Sequence, residues 1–513
     1  MESIMDTDYL IVGSGLSALV FAALSAKSGK KVVILEAHEY PGGFGHTFPI
    51  AKHYKFNAQL HYVWNCGEGD TVNNVLKKLQ LEEQVTFESF DPQGFDHMRM
   101  PEYQLDIPYD SDLLLSRLKE LFPKHSKQCT TFINEVRRTA NGLGVLSGDE
   151  RFKNILKNLE QAATAYRNIK FTLQQMFDKH KLPLEAQTLL ALQWPDFLLP
   201  PNQLSFCAWV LLFTGYQRGA YYPTHHFEHV ITSLVDTIEA NDGQIIYQTQ
   251  VDNFVLENDR VVAVEATDLT TNITLRYDAK CTICNMDPKK AAHLIGIEKF
   301  SLKLRRQLDY DYSASNFMAY CAVKDINLED YGFGRWNIFH SNHKDLNLAF
   351  DAMYNQHDYS APSFAMSTPG FLTQDSSDRP EGHQIIEFVT VADYQYFKAL
   401  KSRDPRAYRQ KKRAILDAIV NTVEEHYVPN FREHLTYKST GSPTTNEDFC
   451  WCPEGNSYGS AMTPSNFNLW RLNHNSSLKG LYFCNASSGY AGFAGTFWTG
   501  AKLYQHLSGE RIL

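Results

Sequence analysis

Residues 8–36 read DYLIVGSGLSALVFAALSAKSGKKVVILE, and the fold turns on this stretch. Tyr9–Val12 is a short apolar run closed by Gly13, the pattern of a strand buried on both faces of a parallel sheet. LSALVFAALSAK has helical composition and stops at Gly29, a natural helix terminator. KVVIL is β-branched and apolar again, so the order is strand, tight turn, helix, strand. The turn is Gly13-Ser14-Gly15-Leu16-Ser17-Ala18, a GxGxxA form of the dinucleotide fingerprint. Gly13 permits the tight turn, Gly15 lets backbone approach a pyrophosphate at the helix N-terminus, and Ala18 lets helix and strand lie close. Glu36 ends the second strand, where a carboxylate accepts hydrogen bonds from an adenosine ribose and repels a 2′-phosphate. A lone glycine motif is weak. Here every part falls in order.

The chain continues AHEYPGGFGHTF. Gly42-Gly43 followed by Thr47 resembles the continuation found in flavin enzymes, where the second glycine pair lies along the FAD diphosphate and ribityl chain. Ala37, Phe44 and His46 are expected to line the same site. No second fingerprint heads a later βαβ unit, and GFGR at 332–335 lacks the flanking pattern. The sequence therefore provides for one dinucleotide, FAD.

A chain of 513 residues is too long for one core, so two or more domains are expected, interleaved in sequence. A net charge of -9 and no long basic run exclude nucleic acid as partner. Nine cysteines in a chain this long make no disulfide framework and point to a reducing compartment. Cys281 and Cys284 form a lone CxxC without a second pair, and no metal site is expected. The N-terminus lacks the charged and apolar regions of a signal peptide. The longest apolar run, FCAWVLLF at 206–213, is far short of the roughly 20 residues of a spanning helix. A cytoplasmic protein, or one peripheral on a membrane facing a reducing compartment, is expected.

Residues 110–122 and 130–180 have helical spacing and composition. Residues 183–222 turn markedly apolar, and Trp194, Phe197, Trp209 and Phe213 suit a core, a lipophilic tunnel or a membrane-resting lip. An amphipathic helix follows from about 227, then a run of strands in which NITLRYDAKCTI alternates as an antiparallel hairpin does. Residues 404–427 read as helix, and the end of the chain as strand, glycine-rich loop and a helix closing at Gly509.

These residues carry a family resemblance over nearly the whole length. GSGLSALVFAA at 13–23, GGFGHTF with HYVW at 61–64, RGAYYP at 218–223, ICNMDP at 283–288, GSPTTNEDF at 441–449, EGNSYG at 454–459 and GLYFCN at 480–485 are its carriers. The chain resembles the phytoene desaturase and carotenoid isomerase superfamily of FAD oxidoreductases, and within it the retinol saturases. The resemblance implies an α/β fold of the amine oxidase and phytoene desaturase type. A Rossmann-like FAD domain would be assembled from 1–70, 205–295 and 450–513, with an inserted α+β substrate domain from 71–204 and 296–449. It implies hydride movement between flavin N5 and a carbon of an apolar isoprenoid polyene, with saturation favoured over desaturation or redox-neutral isomerisation. The physiological electron donor or acceptor is not named by the sequence. His61, the backbone of Val251, Asn485, Phe493 and Ala494 join the expected cofactor contacts. Where relatives keep Gly-Gly after YYP-x, this chain has His225-His226, and where many keep an acid after the last strand it has Asn485-Ala486.

A polyene has no heteroatom for acid–base work, so reduction needs hydride at one carbon and a proton at its neighbour. His226, His225 and Tyr222 are the expected proton-handling residues, with Tyr221 and His61 as further candidates, and Thr224 is the expected N-cap of the helix that follows. A serine or cysteine hydrolase is not expected, on the reading that the chain lacks a Gly-x-Ser-x-Gly nucleophile motif. A non-catalytic lipid carrier on the same fold is the alternative from outside enzymology.

Overall fold

The computed structural model describes residues 4–51, 53–146, 151–467 and 470–513. Two seven-stranded sheets organise the chain. In the first, Gln244–Ile246, Val32–Leu35, Ile4–Val12, Ile273–Cys284 and Leu481–Phe483 run parallel in that order. Val32–Leu35 is buried at all four positions, as an unbroken apolar run in a parallel sheet must be. The helix Leu16–Lys27 is apolar almost all round, and every residue from Leu16 to Ala26 is buried. Against it lies the C-terminal helix Gly492–Ser508. At Gly500 a Cβ would stand 2.4 Å from the Ser17 carbonyl oxygen, so only glycine allows this helix crossing.

Ile273–Cys284 has two roles. Its first half completes an antiparallel meander with Thr249–Glu257 and Arg260–Asp268, as the alternation there predicts. Its second half enters the parallel sheet beside Ile4–Val12. The change of partner lies in tertiary contacts, which alternation cannot reveal.

The second sheet runs Leu435–Gly441, Ser315–Lys324, His383–Ala392, Phe364–Ser367, Asn337–His340, Asp96–Met100 and Tyr103–Ile107. Its strand Ser315–Lys324 is buried at nine consecutive positions. Helices Ser126–Leu146, Leu159–Asn168, Leu173–His180 and Phe206–Gln217 pack on one another, and Pro405–His426 supplies the helix expected over 404–427. The strands of the first sheet come from residues 4–35, 244–284 and 481–483, and those of the second from 96–107 and 315–441. Near residue 70 the packing is continuous: Thr71–Leu79 packs on the first and last helices, while Tyr54 and Phe56 share a core with Met318 and Tyr320 of the second sheet.

Candidate active site

At the carboxyl ends of the parallel strands lies a cleft of about 290 Å³, where ligands bind in open α/β sheets. Gly13 (φ +94°) and Gly42 (φ +102°) shape its floor. A Cβ on Gly43 would stand 3.5 Å from Gly15 Cα, so the glycines form a cradle that side chains would fill. The backbone N–H groups of Leu16 and Ser17 find no acceptor among the described residues, which is the electrostatics of an anion site at a helix N-terminus. Glu36 accepts from Ser14 N at 2.7 Å, Ser14 Oγ at 2.6 Å and His38 N at 2.8 Å, which fixes its carboxylate at the strand end. These features fit a dinucleotide diphosphate and ribose.

Ser14, Ala37, Phe44, His46, Val251, Asn485 and Phe493 line this cleft. Asn485 is already engaged: its Oδ1 accepts from Ser488 N at 3.0 Å and its Nδ2 donates to the Met286 carbonyl at 3.1 Å. The amide ties the last strand to the loop after Cys284. Three expected cofactor contacts lie elsewhere. Thr47 hydrogen-bonds Asn57 at 3.2 Å beside a small polar pocket, and His61 and Ala494 line a larger neighbouring cavity. Each sits next in sequence to the cleft, but backbone direction turns it to the other side of the wall.

Several cleft residues were not anticipated. Asn285 Oδ1 accepts from Gly15 N at 2.8 Å and buttresses the glycine turn, and Asp287, Lys290, Cys450, Trp451 and Tyr458 line the same space. The ICNMDP and EGNSYG motifs hold Asn285, Asp287 and Tyr458, so a signal was present. Burial pushes the Cys450 thiol up to about 12 and Cys452 well above the usual thiol range, so neither presents a thiolate to the cleft. Gly455-Asn456-Ser457-Tyr458-Gly459 does spell the Gly-x-Ser-x-Gly pattern of hydrolases. It follows a 3-10 turn in a loop rather than a strand, and Ser457 Oγ is buried with no hydrogen-bond partner, so no base activates it.

The larger cavity, about 1170 Å³, meets the cleft at a shared wall of Gln59, Leu60, Tyr458, Ala491, Gly492 and Phe493. The apolar segment expected as core or tunnel divides between the two. Trp194, Trp209 and Phe213 are buried in the core, whereas Phe197, Ala208, Leu211 and Leu212 line the cavity. His61 stands on this wall. Its Nδ1–H donates to Glu387 Oε2 at 2.9 Å, and its Nε2 is buried without a partner.

The expected proton-handling residues lie outside both spaces. His226 is buried at φ +64°; its Nε2–H donates to the Asp375 carbonyl at 3.0 Å, so its Nδ1 accepts from Tyr222 Oη at 3.1 Å. Tyr222 Oη also accepts from Asn57 Nδ2 at 2.7 Å. This is a closed hydrogen-bonded knot against a pocket of about 10 Å³. His225 is exposed and stacks edge-on with His229 at 5.4 Å. Thr224 bonds Thr86 Oγ1 at 2.9 Å instead of capping, and the helix starts at His226 with His225 as N-cap. Of the pair, His226 is held in a buried packing contact and His225 is exposed.

Fold and site define a flavoprotein-type oxidoreductase with a Rossmann-like nucleotide domain. Residues 11–79 match the NAD(P)-binding Rossmann-like domain model. The all-trans-retinol 13,14-reductase of Danio rerio is 23% identical over 97% of this chain and 85% of its own length. Prolycopene isomerase 2 of an Oncidium hybrid is 22% identical over 88% of this chain and 74% of its own. Among solved structures, the cyclohexylamine oxidase of Brevibacterium oxydans superposes with a TM-score of 0.62 at 13% identity, covering 98% of this chain and all of that one. At modest identity, these similarities support a relationship to the superfamily of FAD oxidoreductases that contains the phytoene desaturases, carotenoid isomerases and retinol saturases.

Proposed function

We propose that the protein uses non-covalent FAD to act on a C=C bond of a long apolar polyene, adding hydrogen across it. One observation carries the reading: a large, largely apolar cavity shares a wall with the dinucleotide cleft, so a long hydrocarbon held there would lie beside the flavin. The glycine turn, the Leu16 helix N-terminus and Glu36 would hold the dinucleotide, and Tyr458 and Phe493 would stand where its ring system meets the second cavity. Bound FAD supplies hydride transfer, the half of the reaction no side chain performs. The chain's own part is to orient the polyene, to exclude water with Phe197, Leu211 and Leu212, and to deliver the matching proton. The relatives named for retinol reduction and prolycopene isomerisation support an apolar isoprenoid over a small amine. Redox-neutral isomerisation is the second reading, favoured by the isomerase relatives.

Among the described residues no helix is long and apolar enough to cross a membrane. The test is product mass. FAD-loaded protein, reduced anaerobically and given all-trans-retinol or a carotene, is expected to yield a product two hydrogens heavier. An unchanged mass with altered double-bond geometry selects the isomerase reading, and turnover of small amines alone overturns the proposal.

A further inference from the structure

The wall of the large cavity holds a second group of titratable side chains, absent from the sequence expectations. Asp196 ends the 3-10 turn Trp194–Asp196 and lines the cavity. Its Oδ2 accepts from Tyr62 Oη at 2.6 Å. The same hydroxyl lies 3.2 Å from Asp96 Oδ2, which Gln193 Nε2 also reaches, while Asn337 Nδ2 donates to Asp96 Oδ1 at 3.1 Å. Tyr62 has one proton for two carboxyls. Among the described residues no Lys or Arg pairs with either acid, and Asp96 is fully buried. Two unpaired carboxylates sharing one hydroxyl in a desolvated site repel each other, and the arrangement is relieved by holding an extra proton.

From this geometry we infer that Asp196 is the acid that protonates the substrate carbon, with Tyr62 and Asp96 as positioning residues that keep it supplied. The inference rests on the proposed polyene reduction. In the step, the Asp196 O–H bond breaks and its proton forms the new C–H bond at one carbon of the double bond. The electron pair and hydrogen for the other carbon arrive as hydride from the two-electron-reduced flavin, which is oxidised. Asp196 is left as carboxylate and takes its next proton through the Tyr62 hydroxyl.

The charge state agrees. Burial raises the Asp196 carboxyl to about 7, against opposing contributions from the Tyr62 hydrogen bond and nearby His61, and burial and the Asp196 charge hold Asp96 well above the usual carboxylate range. Asp196 is therefore largely protonated below about pH 7, where a neutral acid is needed. His61 faces the same cavity with an unpartnered Nε2 and is the competing donor. Its Glu387 partner holds its Nδ1–H, and among the described residues no second carboxyl hydrogen-bonds it in the way Asp96 shares Tyr62 with Asp196.

Infrared difference titration of the purified full-length protein without substrate reads the proton directly. We expect a carboxylic C=O band that disappears as pH rises through about 7 and is missing in Asp196→Asn. A band titrating through about pH 7 with the same amplitude in Asp196→Asn as in wild type overturns the inference, whatever the substrate proves to be. In turnover, Asp196→Asn should bind polyene as wild type does and lose on the order of 100-fold or more in rate. Tyr62→Phe, which removes a hydrogen bond that favours the carboxylate, should move the alkaline limb of the pH profile upward. If wild type reduces a polyene and Asp196→Asn does so equally fast, or if His61→Gln alone abolishes the rate, Asp196 is not the donor. If wild type reduces no polyene, the functional proposal fails while the infrared result still decides where the proton resides.

Discussion

The two spaces that meet at Tyr458 and Phe493 are built on different principles. The dinucleotide cleft is a backbone structure: a glycine turn, a helix N-terminus and one carboxylate at a strand end, all within residues 13–43. The large cavity is a side-chain structure, assembled from residues 59–71, 109–111, 136–146, 196–218, 313, 458–467 and 490–513. A backbone site is specified by where a side chain cannot be, so one substitution can close it. A side-chain site is specified by shape and by the charge states that burial imposes, so its function changes by degrees.

The largest expected effect follows from the first principle. A Cβ at Gly15 would stand 2.6 Å from Asn285 Oδ1, at the glycine turn proposed to hold the diphosphate. Gly15→Val should leave the far-ultraviolet circular dichroism intact and abolish flavin retention, read from absorbance of the purified protein. A yellow Gly15→Val protein would break the comparison at its root.

Gly455 extends the test to the cleft's outer wall. It sits at φ +57°, and its Cβ would come 2.1 Å from the Pro443 carbonyl oxygen. Gly455→Ala should cost about 3 kcal/mol or more in denaturant unfolding, since both the backbone conformation and the contact must give. A loss under about 1 kcal/mol would show that this loop yields easily.

The cavity is sharpened by pH. The folded-state value of Asp196, about 7, lies above the ordinary value of about 4, so the folded protein binds more protons than the unfolded chain between these limits. Stability from this group is therefore intact below about pH 4 and falls as pH rises to about 7, by roughly 4 kcal/mol. Asp196→Asn should remove that share of the pH dependence and be the more stable protein at pH 8. Identical slopes for the two proteins would mean that Asp196 is ionised at little cost.

The same contrast governs what could be read from sequence. The parallel strands, the fingerprint and Glu36 were legible because each is a local pattern with a fixed register. The apolar stretch at 183–222 was legible as apolar but not as divided, because helix rotation decides that Trp209 faces the core while Ala208, Leu211 and Leu212 face the cavity. Asp196 in LQWPDF carries no local mark, since its importance comes from Tyr62 and Asp96, each about a hundred residues or more away in sequence. His225-His226 drew notice as an unusual pair, and tertiary packing gave it a structural role. The smallest effects are expected there. His226→Ala should lower stability by about 1–2 kcal/mol through the lost Tyr222 and Asp375 bonds, and His225→Ala by less than about 0.5 kcal/mol, with product formation retained in both. Loss of product formation in either variant at normal stability would return these histidines to the active site.

The adjacency of the two spaces is the central claim, and a single anaerobic turnover tests it most directly. Protein carrying FAD, reduced to the colourless form with no other oxidant present, is mixed with one equivalent of an all-trans polyene. The account predicts that oxidised-flavin absorbance returns in step with a product two hydrogens heavier, one flavin per product. Flavin that stays reduced while the polyene sits bound and unchanged would contradict it.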